Sequence, residues 1–201
     1  MTSQVADMRT PIRSTDQPDV VEITTRRRRR RHFLAATDGI AAVEFALLLP
    51  LLLLVLFGTI ELGTAIVIKS KLRTAASTVA EIANQYTTIQ NSDMSGILGA
   101  AAAIITPYSV SNTSVVISEI TINNKGDASV TWSDALNGTA RTTGSSITVP
   151  SGVAVANTVL LLGEVSYLYS PAFGYAMTGP MTMSETLYAM PRSGSSITRS
   201  P

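Results

Sequence analysis

The longest apolar stretch of the chain runs from Phe45 to Ile68 and contains one charged residue, Glu61. A helix of this length measures about 36 Å, which is enough to cross the apolar core of a bilayer. The leucine-rich run at 47–57 has no polar face, whereas a soluble amphipathic helix would have one. The pattern therefore predicts a single transmembrane helix, to which we assign residues 40–68.

After this span the apolar residues follow a helical period instead of a continuous run. They recur at spacings of four, three, four and three: Leu72, Ala76, Val79, Ala83 and Tyr86. This stripe predicts that the helix continues as an amphipathic helix. A second, alanine-rich helix is predicted over 94–105, ending before Pro107. Residues 69–106 are thus expected to form an extracytoplasmic helical region.

From residue 107 to 191 the pattern changes to short β-branched runs. The predicted strands cover residues 114–122, 128–133, 146–149, 157–169 and 183–189. The first two are joined by a short glycine-containing loop, which is typical of a hairpin. The predicted fold class is α+β, with the long N-terminal helix packed on a small antiparallel sheet. The serine-rich segment 192–201 is predicted to be a flexible tail.

Charge gives the orientation of the span. The predicted leader, residues 1–39, is polar and is expected to be disordered. It carries six consecutive arginines: Arg26, Arg27, Arg28, Arg29, Arg30 and Arg31. Their excess over Lys69, Lys71 and Arg73, which are expected to reach the far interface, predicts a cytoplasmic N-terminus and a periplasmic C-terminal domain. Nucleic-acid binding and a twin-arginine export signal are the less favoured interpretations of the arginine run.

The residue inventory argues against catalysis. The chain has no cysteine and one histidine, His32, which lies in the leader. These residues cannot supply a Ser-His-Asp set or a metal site. No phosphate-binding or dinucleotide-binding glycine pattern is present, so no cofactor is expected. The carboxylates after the span are scattered and are interpreted as solvated: Glu119, Asp127, Asp134, Glu164 and Glu185.

A lone carboxylate, Glu44, stands at the start of the apolar helix, five residues after Gly39. Proteolysis after Gly39 would give Ile40 a free α-amino group. Glu44 would then lie about one helical turn from that new positive charge, in the same subunit or in a neighbour. A carboxylate near the N-terminus of a helix is also favoured by the helix dipole.

The run from Asp38 to Ala46, the leucine-rich span with Pro50, and the segment Phe57–Gly63 closely resemble the TadE/TadG-like family of the Tad (Flp) pilus assembly system. The resemblance implies a pseudopilin or minor pilin in the inner membrane. Its implied partners are other pilins or pseudopilins, inner-membrane assembly proteins and a prepilin peptidase. Gly39 would be the last leader residue, and Phe45 stands where processed relatives usually have Tyr. Some relatives remain uncleaved anchors, so both outcomes stay open.

Inside the span, Glu61 has two interpretations. It packs against the helix of another subunit, or the membrane portion ends near Ile60 and Glu61 lies among the lipid headgroups. Gly58 and the small-residue pair Thr59 and Gly63 offer surfaces for close helix approach. The rival to a pilus-assembly function is a periplasmic binding or sensing module on a simple membrane anchor.

Overall fold

A computed structural model describes residues 38–173, 179–192, 194 and 196–201. The six leader arginines lie outside the described residues. The chain divides into two compact units, Met1–Leu52 and Leu53–Pro201. The described part of the first unit is helical throughout, and every side chain described in it is exposed.

The long N-terminal helix, α1, extends over Asp38–Ala83 and includes Pro50. Within Gly39–Ala83, an 18-residue window has a mean hydropathy of 2.7 and no buried residue, so by length and composition α1 is able to cross a membrane. Leucine and alanine favour the helix, and the proline is accommodated at the expense of one backbone hydrogen bond. The predicted long apolar helix is confirmed.

The later part of α1 carries the hydrophobic core of the second unit. Its buried residues fall on one stripe: Ile68, Leu72, Ala75, Ala76, Val79, Ala80 and Ala83. This is the stripe that the spacing predicts, except that the helix ends at Ala83 and Tyr86 lies beyond it. Burial of one face, with polar residues on the other, is what an amphipathic helix needs to pack against a sheet.

Eight further elements lie in the described part of the second unit. They are β1 (Thr88–Ile89), α2 (Asn91–Ala103), a 3₁₀ turn (Val110–Asn112), β2 (Thr113–Ile122), β3 (Ala128–Leu136), β4 (Thr158–Tyr169), β5 (Met181–Ala189) and β6 (Thr198–Arg199). The main sheet has the order β3-β2-β4-β5, with antiparallel neighbours throughout. The α+β class is therefore confirmed.

The β2–β3 hairpin forms as predicted. Its loop is held by Asn123, whose Oδ1 accepts hydrogen bonds from the backbone N–H groups of Lys125 and Asp127. Gly126 adopts a φ of 87°, a conformation that favours glycine. The weaker strand predicted at 146–149 is wrong: only Ser146 forms a bridge, to Ser129.

Helix α1 packs on the sheet at a glycine. A Cβ atom added to Gly163 in β4 would lie 2.8 Å from the Ala76 carbonyl oxygen and 2.8 Å from Val79 Cγ1. Only a glycine allows the helix backbone to approach the strand this closely. On either side of it along β4, Leu161 and Val165 are buried in the same core.

The C-terminal segment is packed, so the prediction of a flexible tail does not hold for residues 196–201. Ile197 is buried, its carbonyl oxygen accepts a hydrogen bond from Trp132 Nε1 at 2.9 Å, and its N–H donates to Glu119 at 2.6 Å. Strand β6 pairs with β1 in parallel, and Arg199 contacts Asp134 at 2.8 Å. Glu119 is fully buried, which also corrects its interpretation as a solvated carboxylate.

Candidate functional site

The predicted processing region lies at the start of α1. Gly39, Ile40, Glu44 and Phe45 are all helical and exposed. The Gly39–Ile40 bond lies in the first turn of α1, which begins at Asp38. The pairing of Glu44 with a new α-amino group remains a prediction.

Glu61 is bound by its own chain. One carboxylate oxygen accepts a hydrogen bond from the Tyr169 hydroxyl, and the other accepts one from the backbone N–H of Phe173 at 2.7 Å. The Phe173 ring stacks on Phe57 of α1, with 4.2 Å between ring centroids and 14° between planes. Two contacts one helical turn apart therefore join α1 to the segment that follows β4.

The helical period explains which residues of the span face this segment. Four residues recur at spacings of four, three and four and align on one side of α1: Phe57, Glu61, Thr64 and Ile68. Thr59 and Gly63 project to the opposite side, and Gly58 lies about a quarter of a turn away from the aligned row. The predicted packing set therefore divides: Glu61 is half-buried on its own domain, whereas Gly58, Thr59 and Gly63 are exposed.

An open depression of about 260 Å³ lies beside these contacts. Tyrosines form much of its wall, and Tyr108 meets Tyr167 edge to face at 6.4 Å between centroids. Burial, followed by the hydrogen bond to Glu61, raises the pKa of Tyr169 to about 12. The hydroxyl is therefore protonated at neutral pH and acts as the hydrogen-bond donor.

The two lysines that follow the span bind the folded domain. Lys69 lies 2.7 Å from the Glu185 carboxylate and donates to the Ser184 carbonyl at 2.8 Å. Lys71 donates to the carbonyl oxygens of Ile104 and Thr106, at 3.0 and 2.8 Å. Ile104 is the C-cap of α2, so Lys71 satisfies backbone groups that a helix end leaves open. The two side chains thus have partners in the protein, and their predicted position at the far lipid interface remains a prediction.

A second depression, of about 380 Å³, opens on the sheet face away from α1. Its charged pair is Arg141 and Glu164, which form two hydrogen bonds of 2.9 and 2.7 Å. Glu164 raises the pKa of Arg141. Within the described residues, no group of three or more His, Cys, Asp or Glu side chains could hold a metal ion.

Sequence reasoning missed the partners of Glu61. The available signal was the carboxylate itself, since an acidic residue in an apolar span requires a partner. Tyr169 lies 108 residues further along the chain, and Phe173 lies 112 residues further. No periodicity in the sequence connects positions so far apart.

Comparison with known proteins adds one finding. Residues 39–81 match the family model described as TadE-like protein. The match covers α1 almost completely, which confirms the resemblance for this part of the chain. No curated protein and no solved structure matches the chain.

Proposed function

Residues 39–81 are TadE-like, and we propose that the chain is a single-pass, pseudopilin-like component of Tad (Flp, type IVb) pilus assembly. Its N-terminus lies in the cytoplasm and its β-domain in the periplasm, with α1 anchored in the inner membrane. It acts without catalysis, through contacts of α1 with other pilins or pseudopilins and of the β-domain with assembly proteins.

One observation carries the proposal: the TadE-like match coincides with a helix that has two different environments. From Ile40 to Leu56 every side chain is exposed and all but Glu44 are apolar, as expected of a segment that contacts lipid or neighbouring helices. From Ile68 to Ala83 the same helix holds the β-domain. This division suits a protein in which the first part of the helix crosses the membrane and the later part carries a folded domain on one side of it.

Lateral contact is tested by crosslinking from matched threonines. The chain has no cysteine, so single substitutions introduce single reactive sites. Thr59 and Thr64 each donate a hydrogen bond to the carbonyl four residues earlier, but Thr59 is exposed and Thr64 is half-buried toward the domain. We expect Thr59→Cys to crosslink to other pilus membrane proteins in cells and Thr64→Cys to crosslink far less. Absence of crosslinks from Thr59→Cys would favour the binding or sensing module.

Processing is tested by mass spectrometry of the N-terminus in cells that hold the cognate prepilin peptidase. The pseudopilin form predicts a mature chain beginning at Ile40, which lacks the six arginines. We expect Gly39→Leu to abolish the cut. Gly58→Leu is the matched control, because both glycines are helical and exposed. Apart from their chain neighbours and the local helix backbone, no described atom lies within 4 Å of a Cβ atom added to either one. An intact chain in the presence of an active peptidase would leave only an uncleaved anchor.

A further inference from the structure

Outside α1, three large apolar side chains are exposed around the end of β4. Leu168 is 46% exposed, Phe173 is 57% exposed and Met181 is 42% exposed. Leu168 is opposite Thr182 in the sheet, and Met181 is opposite Tyr169. The end of the sheet that binds Glu61 is therefore also a place where the β-domain presents apolar surface.

Strand β4 runs antiparallel to α1. Two contacts therefore show which part of α1 lies beside the Tyr169 end of the strand. Gly163 lies against Ala76, and Tyr169 binds Glu61. The six strand steps cover about 20 Å, and the fifteen helix steps cover about 22 Å, so the two elements remain in register over this length. The far end of β4, at Thr158, lies about 36 Å from Tyr169 along the strand.

The next step rests on the proposed membrane anchoring. The stretch from Ile40 to Ile60 measures about 31 Å as a helix, which already matches the roughly 30 Å apolar core of a bilayer. From Glu61 onward the domain-facing side of α1 contacts protein. Phe57, which stacks on Phe173, lies about 6 Å before Glu61 along the helix axis, on the lipid side of this boundary.

We propose that the membrane-proximal end of the β-domain, formed by Leu168, Phe173 and Met181, is seated in the lipid interface of the bilayer that α1 crosses. The occupant of this surface is lipid because the exposed Phe173 ring stacks on Phe57, which directly follows the exposed apolar stretch Phe45–Leu56 of α1. Tyrosines at the same level are typical of residues at the membrane–water boundary.

Glu61 fits this position. A carboxylate near the apolar boundary is costly unless its oxygens are bound. Both of its oxygens accept hydrogen bonds, from the Tyr169 hydroxyl and the Phe173 N–H. The same contacts hold Phe173 against Phe57, so they satisfy the carboxylate and direct the exposed ring toward lipid.

Spin labels on single cysteines test the proposal. The full chain is reconstituted in nanodiscs of phosphatidylethanolamine and phosphatidylglycerol, with no other pilus protein, and labelled at Leu168→Cys, Phe173→Cys or Met181→Cys. Collision rates with oxygen, which concentrates in lipid, and with a water-soluble nickel chelate report the depth of each label. Leu54→Cys is the control inside the span. Val155→Cys is the control beyond the far end of β4, because Val155 is 49% exposed and thus similar in exposure.

We expect the three membrane-proximal labels to give an oxygen-to-nickel ratio several-fold above that of Val155→Cys and below that of Leu54→Cys. Ratios equal to that of Val155→Cys, with Leu54→Cys still in lipid, would overturn the seating and leave the anchoring intact. A water-exposed Leu54→Cys would overturn the anchoring as well. Phe173→Cys removes the ring that stacks on Phe57, so the labels at Leu168 and Met181, which lie outside the stack, decide the outcome if the three labels disagree.

Discussion

Two stretches of the same helix, α1, differ in how their apolar residues are distributed and in what surrounds them. From Ile40 to Leu56 nearly every side chain is apolar and all are exposed. From Ile68 to Ala83 the apolar residues occupy one stripe, which is buried, and polar residues such as Ser70 and Glu81 fill the other side. The distribution around the helix therefore distinguishes the environments: an all-round apolar surface suits lipid, and a stripe suits a protein core.

The largest expected effect on stability comes from comparing one leucine in each of the two stretches. Leu72 is fully buried and Leu54 is 63% exposed. Leu72→Ala should lower the free energy of unfolding of the β-domain by about 2–5 kcal/mol, because it removes buried methyl groups and leaves a cavity. The measurement is urea unfolding in detergent micelles, followed by the fluorescence of Trp132, which is buried in the core and is the one tryptophan of the chain.

Leu54→Ala is the matched control, since it makes the same chemical change in the exposed stretch. We expect it to leave the unfolding curve of the β-domain unchanged within about 0.5 kcal/mol. Equal losses for the two variants would show that the two stretches of α1 do not differ in burial.

A somewhat smaller loss of stability is expected where α1 approaches the sheet most closely, at Gly163. Gly163→Ala adds a Cβ atom that would lie 2.8 Å from the Ala76 carbonyl oxygen and should destabilise the domain by about 1–3 kcal/mol. Gly99→Ala is the control, because Gly99 lies in α2, is exposed and has open space around it. At position 99, alanine should stabilise the domain by about 0.5–1 kcal/mol. A Gly163→Ala variant as stable as the parent chain would contradict the close approach of α1 to β4.

Helix α1 and the C-terminal segment differ in how far sequence alone could describe them. The apolar run and the stripe are periodic, so they predict α1 and its buried face, and β-branched runs likewise predict β2 and β4. The C-terminal segment has no such period. Its serine-rich composition suggested a loose tail, yet Ile197 and Arg199 find partners on the sheet.

The partners of Glu61 show the same limit at the candidate site. The carboxylate in an apolar helix indicated that a partner was needed, and the two interpretations drawn from the sequence placed it against another subunit's helix or among lipid headgroups. The chain itself supplies Tyr169, at a separation of 108 residues. Such a contact follows from the register of β4 against α1, which depends on the packing of Gly163 and is not encoded in local periodicity.

The contact between Glu61 and Tyr169 predicts a pH dependence. Because the pKa of Tyr169 is raised from 10.0 to about 12, its contribution to stability is complete below pH 10. It is lost as the pH rises toward about 12, since the unfolded chain ionises first, and the loss is on the order of 2 kcal/mol. The measurement is urea unfolding at a series of pH values between 9 and 12.

Tyr169→Phe should reduce this alkaline loss. It should not abolish the loss, because burial and Glu164 also raise the pKa of Tyr188. In a direct titration of tyrosinate absorbance, the variant should lack the group that ionises near pH 12. An alkaline unfolding profile identical to that of the parent chain would contradict the buried hydrogen bond.

The smallest expected effect concerns the lysine that follows the membrane stretch. Lys69 and Glu185 lie 2.7 Å apart, and the lysine side chain is 51% exposed. Solvent screens such a pair, so a double-mutant cycle with Lys69→Ala and Glu185→Ala should give a coupling of about 0.2–1 kcal/mol. If Lys69 instead reached lipid headgroups, the coupling would vanish, and Lys69→Ala would weaken the attachment of the domain surface to anionic nanodiscs. A measurable coupling would support the contact of Lys69 with the β-domain, and a vanishing coupling would contradict it.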